Sequence, residues 1–281
     1  MDGSARAPAA GTVLNALATG TGSAFAIDEY VHASVDLDDT GEVTGTVAGA
    51  PDADTTLIEA CVRAVVREHG GGEGGHVRTE TEIPMAGGLK SSSAAANATV
   101  LATLDALDAD IDREAACRLG VDAARRAGVT VTGAFDDASA SMLGGVTVTD
   151  NTDDALLDRT ERDWDVAVFV PEERAYSADA DVDRCERVAP TARVVEELAL
   201  DGRYGEAMTV NGFAFCAALG FDTEPMVAAL PDVAGVSLSG TGPSYVAVGD
   251  RAAVERTRDR WSDYEGTTWQ TTTQTDGARP T

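Results

Sequence analysis

Pro84-Met85-Ala86-Gly87-Gly88-Leu89-Lys90-Ser91-Ser92-Ser93-Ala94 is the stretch on which the reading of this chain turns. Glycines followed by serines and an alanine-rich continuation to about Leu107 predict a loop that enters a helix. At a helix N-terminus the first backbone N–H groups lack acceptors, and the positive end of the helix dipole favours an anion. Gly87 and Gly88 let the backbone turn tightly toward a ligand. Lys90 is the one lysine among 21 basic residues; all others are arginine. The pattern G-x-x-x-x-G-K-[S/T] is absent, so the spacing is not that of a P-loop. An ordinary loop with serine helix caps is the competing reading, and glycines and serines alone do not decide between the two.

Charge supplies a second signal. The formal net charge is −27 over 281 residues, a polyanion that repels nucleic acid and anionic membranes. Such a solvated acidic coat, nearly free of lysine, suits high salt, which screens self-repulsion. Yet three windows are almost free of acid: residues 3–27, 83–104 and 225–249, the last containing only Asp232. The 22-residue second window should hold roughly four acids if they were evenly spread. Burial explains part of each window. Each also carries a stretch rich in glycine, serine or threonine (residues 11–23, 87–93 and 237–244), which buries poorly and offers backbone and hydroxyl donors. Together they read as the walls of an anion-binding cleft.

Other chemistries are set aside. Cys61, Cys117, Cys185 and Cys216 are far apart and form no C-x-x-C, so they are expected to be buried, reduced thiols. His32, His69 and His76 lack metal-ligand spacing. No apolar run approaches the roughly 18 residues of a membrane span, and residues 1–10 do not resemble a secretory signal, so a cytoplasmic protein is expected.

Periodicity sketches the elements. Residues 24–37 alternate as a strand, with 43–48 as its expected hairpin partner. Asp54 is expected to cap a helix whose apolar face is Leu57, Ile58, Cys61, Val62, Val65 and Val66, stopped by glycines at 70–72. Residues 76–83 read as a strand, and Asp112 opens a helix reaching about Ala127. After a Gly144-Gly145 turn, 146–149 is a strand; the acidic residues 150–165 read as a linker, and 165–170 as a buried strand. Helices are predicted over 191–200, 204–219, 224–230 and 252–261, with short strands at 236–238, 245–248 and 267–273. Residues 274–281 read as a frayed tail. Strands and helices mix without a steady βαβ repeat, which indicates an α+β class.

Pro84-x-x-x-Gly88-Leu89-x-Ser91-Ser92 resembles the signature of the GHMP kinases, the superfamily of galactokinase, homoserine kinase and mevalonate kinase. Ser239-Gly240-Thr241-Gly242-Pro243-Ser244 resembles its C-terminal glycine motif. The first window, with Gly11-Thr12-Val13-Leu14-Asn15 and Ser23-Ala24-Phe25-Ala26-Ile27-Asp28, narrows the resemblance. Together with Gly88-Leu89-Lys90-Ser91-Ser92-Ser93 and Gly133-Ala134-Phe135-Asp136-Asp137-Ala138, it is similar to the archaeal-type shikimate kinases. The likeness covers essentially the whole chain. It implies a two-domain α+β fold, residues 1–150 and 160–281, with ATP in the cleft between the domains.

By this resemblance residues 84–94 wrap the nucleotide's phosphates, the Ser92 hydroxyl helps hold Mg²⁺, and Gly240 and Gly242 bring the third motif's backbone to the phosphate loop. Asp136 takes the place of the aspartate assigned as base in mevalonate kinase, with Asp137 as the alternative and a helix N-cap as the structural reading of either. Two departures matter. Lys90 stands where the superfamily usually has glycine, and residues 11–27 lack the lysine of mevalonate kinase's first motif, leaving Lys90, Mg²⁺ or an arginine to stabilise the transferring phosphoryl group. Shikimate, the implied acceptor, is a carboxylate with three hydroxyls. Arg174 is the candidate for its carboxylate, because a guanidinium binds one bidentately; Asn15, Thr19 and Ser23 are candidates for its hydroxyls, or else turn residues. Another small-alcohol kinase such as homoserine kinase, or a non-catalytic sensor on the same fold, are the alternatives.

Overall fold

The computed structural model describes residues 1–81, 83, 87–130, 134–172 and 181–281. Of the candidates above, Pro84, Met85, Ala86 and Arg174 lie outside the described residues, as does Gly133. In chain order the elements are β1 (Asp2–Leu14), a 3₁₀ turn (Ala16–Ala18), β2 (Thr21–Asp38), β3 (Val43–Val47), α1 (Thr56–His69), β4 (Gly74–Thr81), α2 (Ser91–Ala106), α3 (Arg113–Ala127) and α4 (Phe135–Leu143). Then follow β5 (Val146–Asp150), β6 (Ala155–Thr160), β7 (Asp165–Pro171), α5 (Val182–Glu186), α6 (Ala189–Leu200), α7 (Tyr204–Leu219), α8 (Glu224–Ala229), β8 (Gly235–Leu238), β9 (Tyr245–Gly249), α9 (Arg251–Trp261), β10 (Gly266–Thr272) and β11 (Arg279–Pro280).

The architecture is α+β, with two sheets. The larger runs β11-β1-β2-β4-β3, with β5 added on β2 and β6 on β5. The long β2 is its spine: β1 lies along one edge, while the other edge is shared between β5 at residues 21–25 and β4 at residues 31–38. The smaller sheet runs β10-β7-β9-β8. One apolar core spans both sheets, from Leu14, Phe25 and Ile27 to Val168, Met208 and Val246. A second gathers Phe169, Phe215, Met226, Leu238 and Trp261 under the smaller sheet. Helix α2 is apolar on most of its surface and, apart from the exposed Asp105, largely buried from Ala94 to Ala106 against β1 and β2. That fits a core helix rather than an amphipathic surface one. The four cysteines are buried and free, and no helix among the described residues is long and apolar enough to cross a membrane.

Three expectations are corrected, and one strand had no expectation. β3 pairs in parallel with β4, not with β2; α1 makes the crossover that a parallel pair needs. Residues 155–160, expected in a linker, form β6 against β5, with the charged Asp158 and Arg159 suiting an edge strand. β1 was not legible, because its alanines, glycines and serine are poor strand formers. The expected frayed tail is instead tied down: Ala278 N–H donates to Met142 O at 3.0 Å, and β11 pairs with β1.

Candidate active site

The N-terminus of α2 lies where three chain segments meet. Ala94 N–H bonds back to Lys90 O at 3.0 Å, so the N–H groups of Ser91, Ser92 and Ser93 precede the first intrahelical bond. The first turn carries no acid. Ser92 is exposed, Ser91 and Ser93 half-buried, and Gly87, Leu89 and Ala94 buried. The three acid-poor windows converge here. Ser239 Oγ donates to Gly88 O at 2.9 Å, Gly240 N–H donates to Thr12 Oγ1 at 2.8 Å, and Ala10 N–H donates to Leu89 O at 3.2 Å. Gly88 has φ +80°, and a Cβ there would stand 2.3 Å from Ser239 O and 3.1 Å from Gly242 O. Only glycine permits that contact between the loop before α2 and the third motif.

Asp136 sits in the first turn of α4, 5% exposed. Its carboxylate presses on β2 at Gly22, where a Cβ would lie 2.4 Å from Oδ2. Asn151, just after β5, orients the group from two sides: its Nδ2 donates to Asp136 Oδ1 at 2.7 Å, and its Oδ1 accepts from Asp136 N–H at 3.0 Å. Thr149 Oγ1 in turn donates to Asn151 Oδ1 at 3.0 Å. Burial, reinforced by the negative charge of Asp137, pushes the Asp136 carboxyl up to about 7, against the opposing pull of Lys90 and Asn151. Neither Gly22 nor Asn151 was singled out from sequence; Asn151 follows a strand at the start of an acidic stretch, where nothing marks it.

Lys90 reaches the same place from the other side. Its side chain is 6% exposed and its Nζ lies 2.6 Å from Asp137 Oδ1. Lys90 and Ala134, the residues that precede α2 and α4, both have left-handed backbone, with φ of 63° and 51°. For a non-glycine residue that conformation costs roughly 1–2 kcal/mol, and strain of this kind gathers at functional sites.

A cavity of about 510 Å³ is lined by residues 16–21, Glu186, Arg193 and Glu196; Asp136 does not line it. Its wall is tied to the carboxylate, because Asn151 N–H donates to Gly20 O at 2.9 Å. The sequence candidates for acceptor binding fall in different places. Thr19 lines the cavity, and its buried hydroxyl has no partner among the described residues. Ser23 is buried in β2, its hydroxyl likewise unpartnered. Asn15 is committed to the scaffold: Oδ1 accepts from Leu17 N–H at 2.9 Å and Nδ2 donates to Gly240 O at 2.8 Å. Arg193, on α6, supplies the cavity's guanidinium. It carried no motif and was not a sequence candidate.

Among the described residues no cluster of three or more acidic, histidine or cysteine side chains could cage a metal ion. Mg²⁺ that travels with phosphates needs only one or two protein oxygens, and the exposed Ser92 hydroxyl at the helix start is chemically suited to be one.

A family model described as the GHMP kinases N terminal domain matches residues 56–145. The chain is 64% identical to a shikimate kinase of Halobacterium salinarum over 100% of both chains. It is 49% identical to a shikimate kinase of Methanosarcina mazei, covering 99% of this chain and 96% of that one. A solved homoserine kinase from Cytophaga hutchinsonii shares the fold, with a TM-score of 0.78 at 17% identity over 100% of this chain and 97% of that one.

Proposed function

The chain belongs to the family of these archaeal shikimate kinases within the GHMP kinases, and from that membership we propose that it transfers the γ-phosphoryl group of ATP to the 3-hydroxyl of shikimate. One observation carries the reading. Asn151, which orients the Asp136 carboxylate, also binds Gly20 in the wall of a cavity bearing an arginine, and the next residue, Asp137, pairs with Lys90 at the start of α2.

The N–H groups of Ser91–Ser93 and the backbone around Gly88 and Gly240 hold the nucleotide's phosphates. Ser92 Oγ holds Mg²⁺, which supplies charge neutralisation when it is bound with ATP. Arg193 grips the acceptor's carboxylate, and Thr19 meets one of its hydroxyls. Asp136 accepts the proton of the 3-hydroxyl while that oxygen bonds to the γ-phosphorus. The bond from phosphorus to the bridging oxygen breaks, and its electron pair leaves with ADP. In a loose transition state positioning and charge matter more than proton removal, and Asn151 and Gly22 fix the position. A carboxyl raised to about 7 is matched to proton transfer at neutral pH. The reading includes a cytoplasmic location, where its donor ATP is held.

ADP release in molar KCl, measured with shikimate, homoserine, mevalonate and galactose, tests the assignment. Turnover is expected with shikimate; phosphorylation of another alcohol and not shikimate would overturn it. Arg193→Met should raise the KM for shikimate about 100-fold while changing that for ATP little, as loss of a charge-assisted carboxylate contact implies.

A further inference from the structure

The Lys90–Asp137 pair is an unusual way to place charge. The Lys90 ammonium is enclosed by three elements at once: its own turn before α2, the first turn of α4 through Asp137 at 2.6 Å, and the third motif. At the third motif a Cβ on residue 240 would lie 3.1 Å from Nζ. An ammonium has three donors, and Asp137 is its one partner among the described residues. Burying an ion pair is a weak source of stability, because desolvation offsets the attraction. With Asp137 on one side of the ammonium and the third motif on another, its remaining donor capacity suits an anion at this seam.

We infer that Asp137 is a positioning residue: it holds the Lys90 ammonium at the seam between phosphate loop and α4, aimed at the terminal phosphoryl group of a bound polyphosphate, and itself contacts neither substrate. The inference rests on the phosphotransfer reading above. Asp136 and Asp137, adjacent in sequence, then have separate tasks. Asp136 is turned toward Gly22 and Asn151 and faces the acceptor. Asp137 is turned toward the loop and acts only through Lys90. The lysine also gains a defined place. With no base in residues 11–27, Lys90 is the described cation paired at this seam, on a left-handed backbone just before the helix.

A double-mutant cycle distinguishes this from a merely structural pair. Single-turnover transfer from radiolabelled ATP to shikimate stays readable at low rates. It is measured for the parent, Asp137→Asn, Lys90→Met and the double variant, with thermal unfolding of each. A parent that transfers nothing to shikimate would count against the phosphotransfer reading, not against this pairing. Given an active parent, Asp137→Asn should slow transfer about 10- to 100-fold, but no more than about threefold once Lys90 is already methionine. Asp137→Glu, which can still reach the ammonium, should recover most of the rate. Equal losses in both backgrounds would overturn the inference. So would Asp137→Asn variants with parental rates, whatever their melting temperatures.

Discussion

At the residue scale, the site depends on one carboxylate held in a costly state. Asp136 is buried with a neighbouring aspartate, and both raise its affinity for a proton. The folded value near 7 lies above the ordinary 3.8. The stability associated with the bound proton is therefore full below 3.8 and is lost as pH rises to about 7. Asp136→Asn should thus melt higher than the parent above pH 7, with the difference closing toward pH 4, as scanning calorimetry across pH would record. Activity runs the other way, because the base must be deprotonated. The parent's kcat/KM should fall on an acid limb near pH 7, and Asp136→Asn should lose about 10²- to 10⁴-fold in kcat at pH 8 with ATP affinity kept. A variant that keeps its rate would remove Asp136 as base.

At the scale of elements, two helix starts are joined by the Lys90–Asp137 pair, and the backbone of the third motif packs against the first of them with no spare room. α2 offers unbonded N–H groups without an acid in its first turn, whereas α4 begins with two aspartates. The dipoles of both helices favour anions at these ends, which suits a phosphate against α2 and ionised carboxylates on α4. Contact between the loop and the third motif passes through Gly88, whose positive φ and 2.3 Å clearance from Ser239 O admit no side chain. Gly88→Ala should raise the KM for ATP about tenfold or more and cost about 1–3 kcal/mol of stability, read by steady-state kinetics and denaturant unfolding. A KM for ATP unchanged in a folded variant would place the nucleotide elsewhere.

At the scale of the whole molecule, the chain's last residues brace the helix that carries Asp136. Arg113 on α3 donates to the carbonyls of Met142 and Ala278, Arg159 Nη2 donates to Leu143 O and Thr275 O at 3.0 and 2.8 Å, and Ala278 N–H bonds to Met142 O. Each of these joins the tail to the C-terminal end of α4. Removing residues 275–281 should lower the melting temperature by about 5–10 °C and slow turnover; a truncated chain with parental Tm and kcat would show that the brace is dispensable. The acid-poor windows, the entry of residues 87–90 into α2, α7 over 204–219 and the pairing of an aspartate with a helix start were legible in sequence. Each is a local matter of turn chemistry, period and charge exclusion, fixed by residues close together in the chain. Tertiary structure alone decided the rest. β1 forms from weak strand formers because β2 and α2 cover it, the tail is ordered by partners more than a hundred residues away, and Gly22, Asn151 and Arg193 gain meaning only from what they touch. Local preferences act within a turn or two, whereas a site assembled from residues 12, 22, 90, 136, 151 and 240 exists only after the two sheets have closed on a common core.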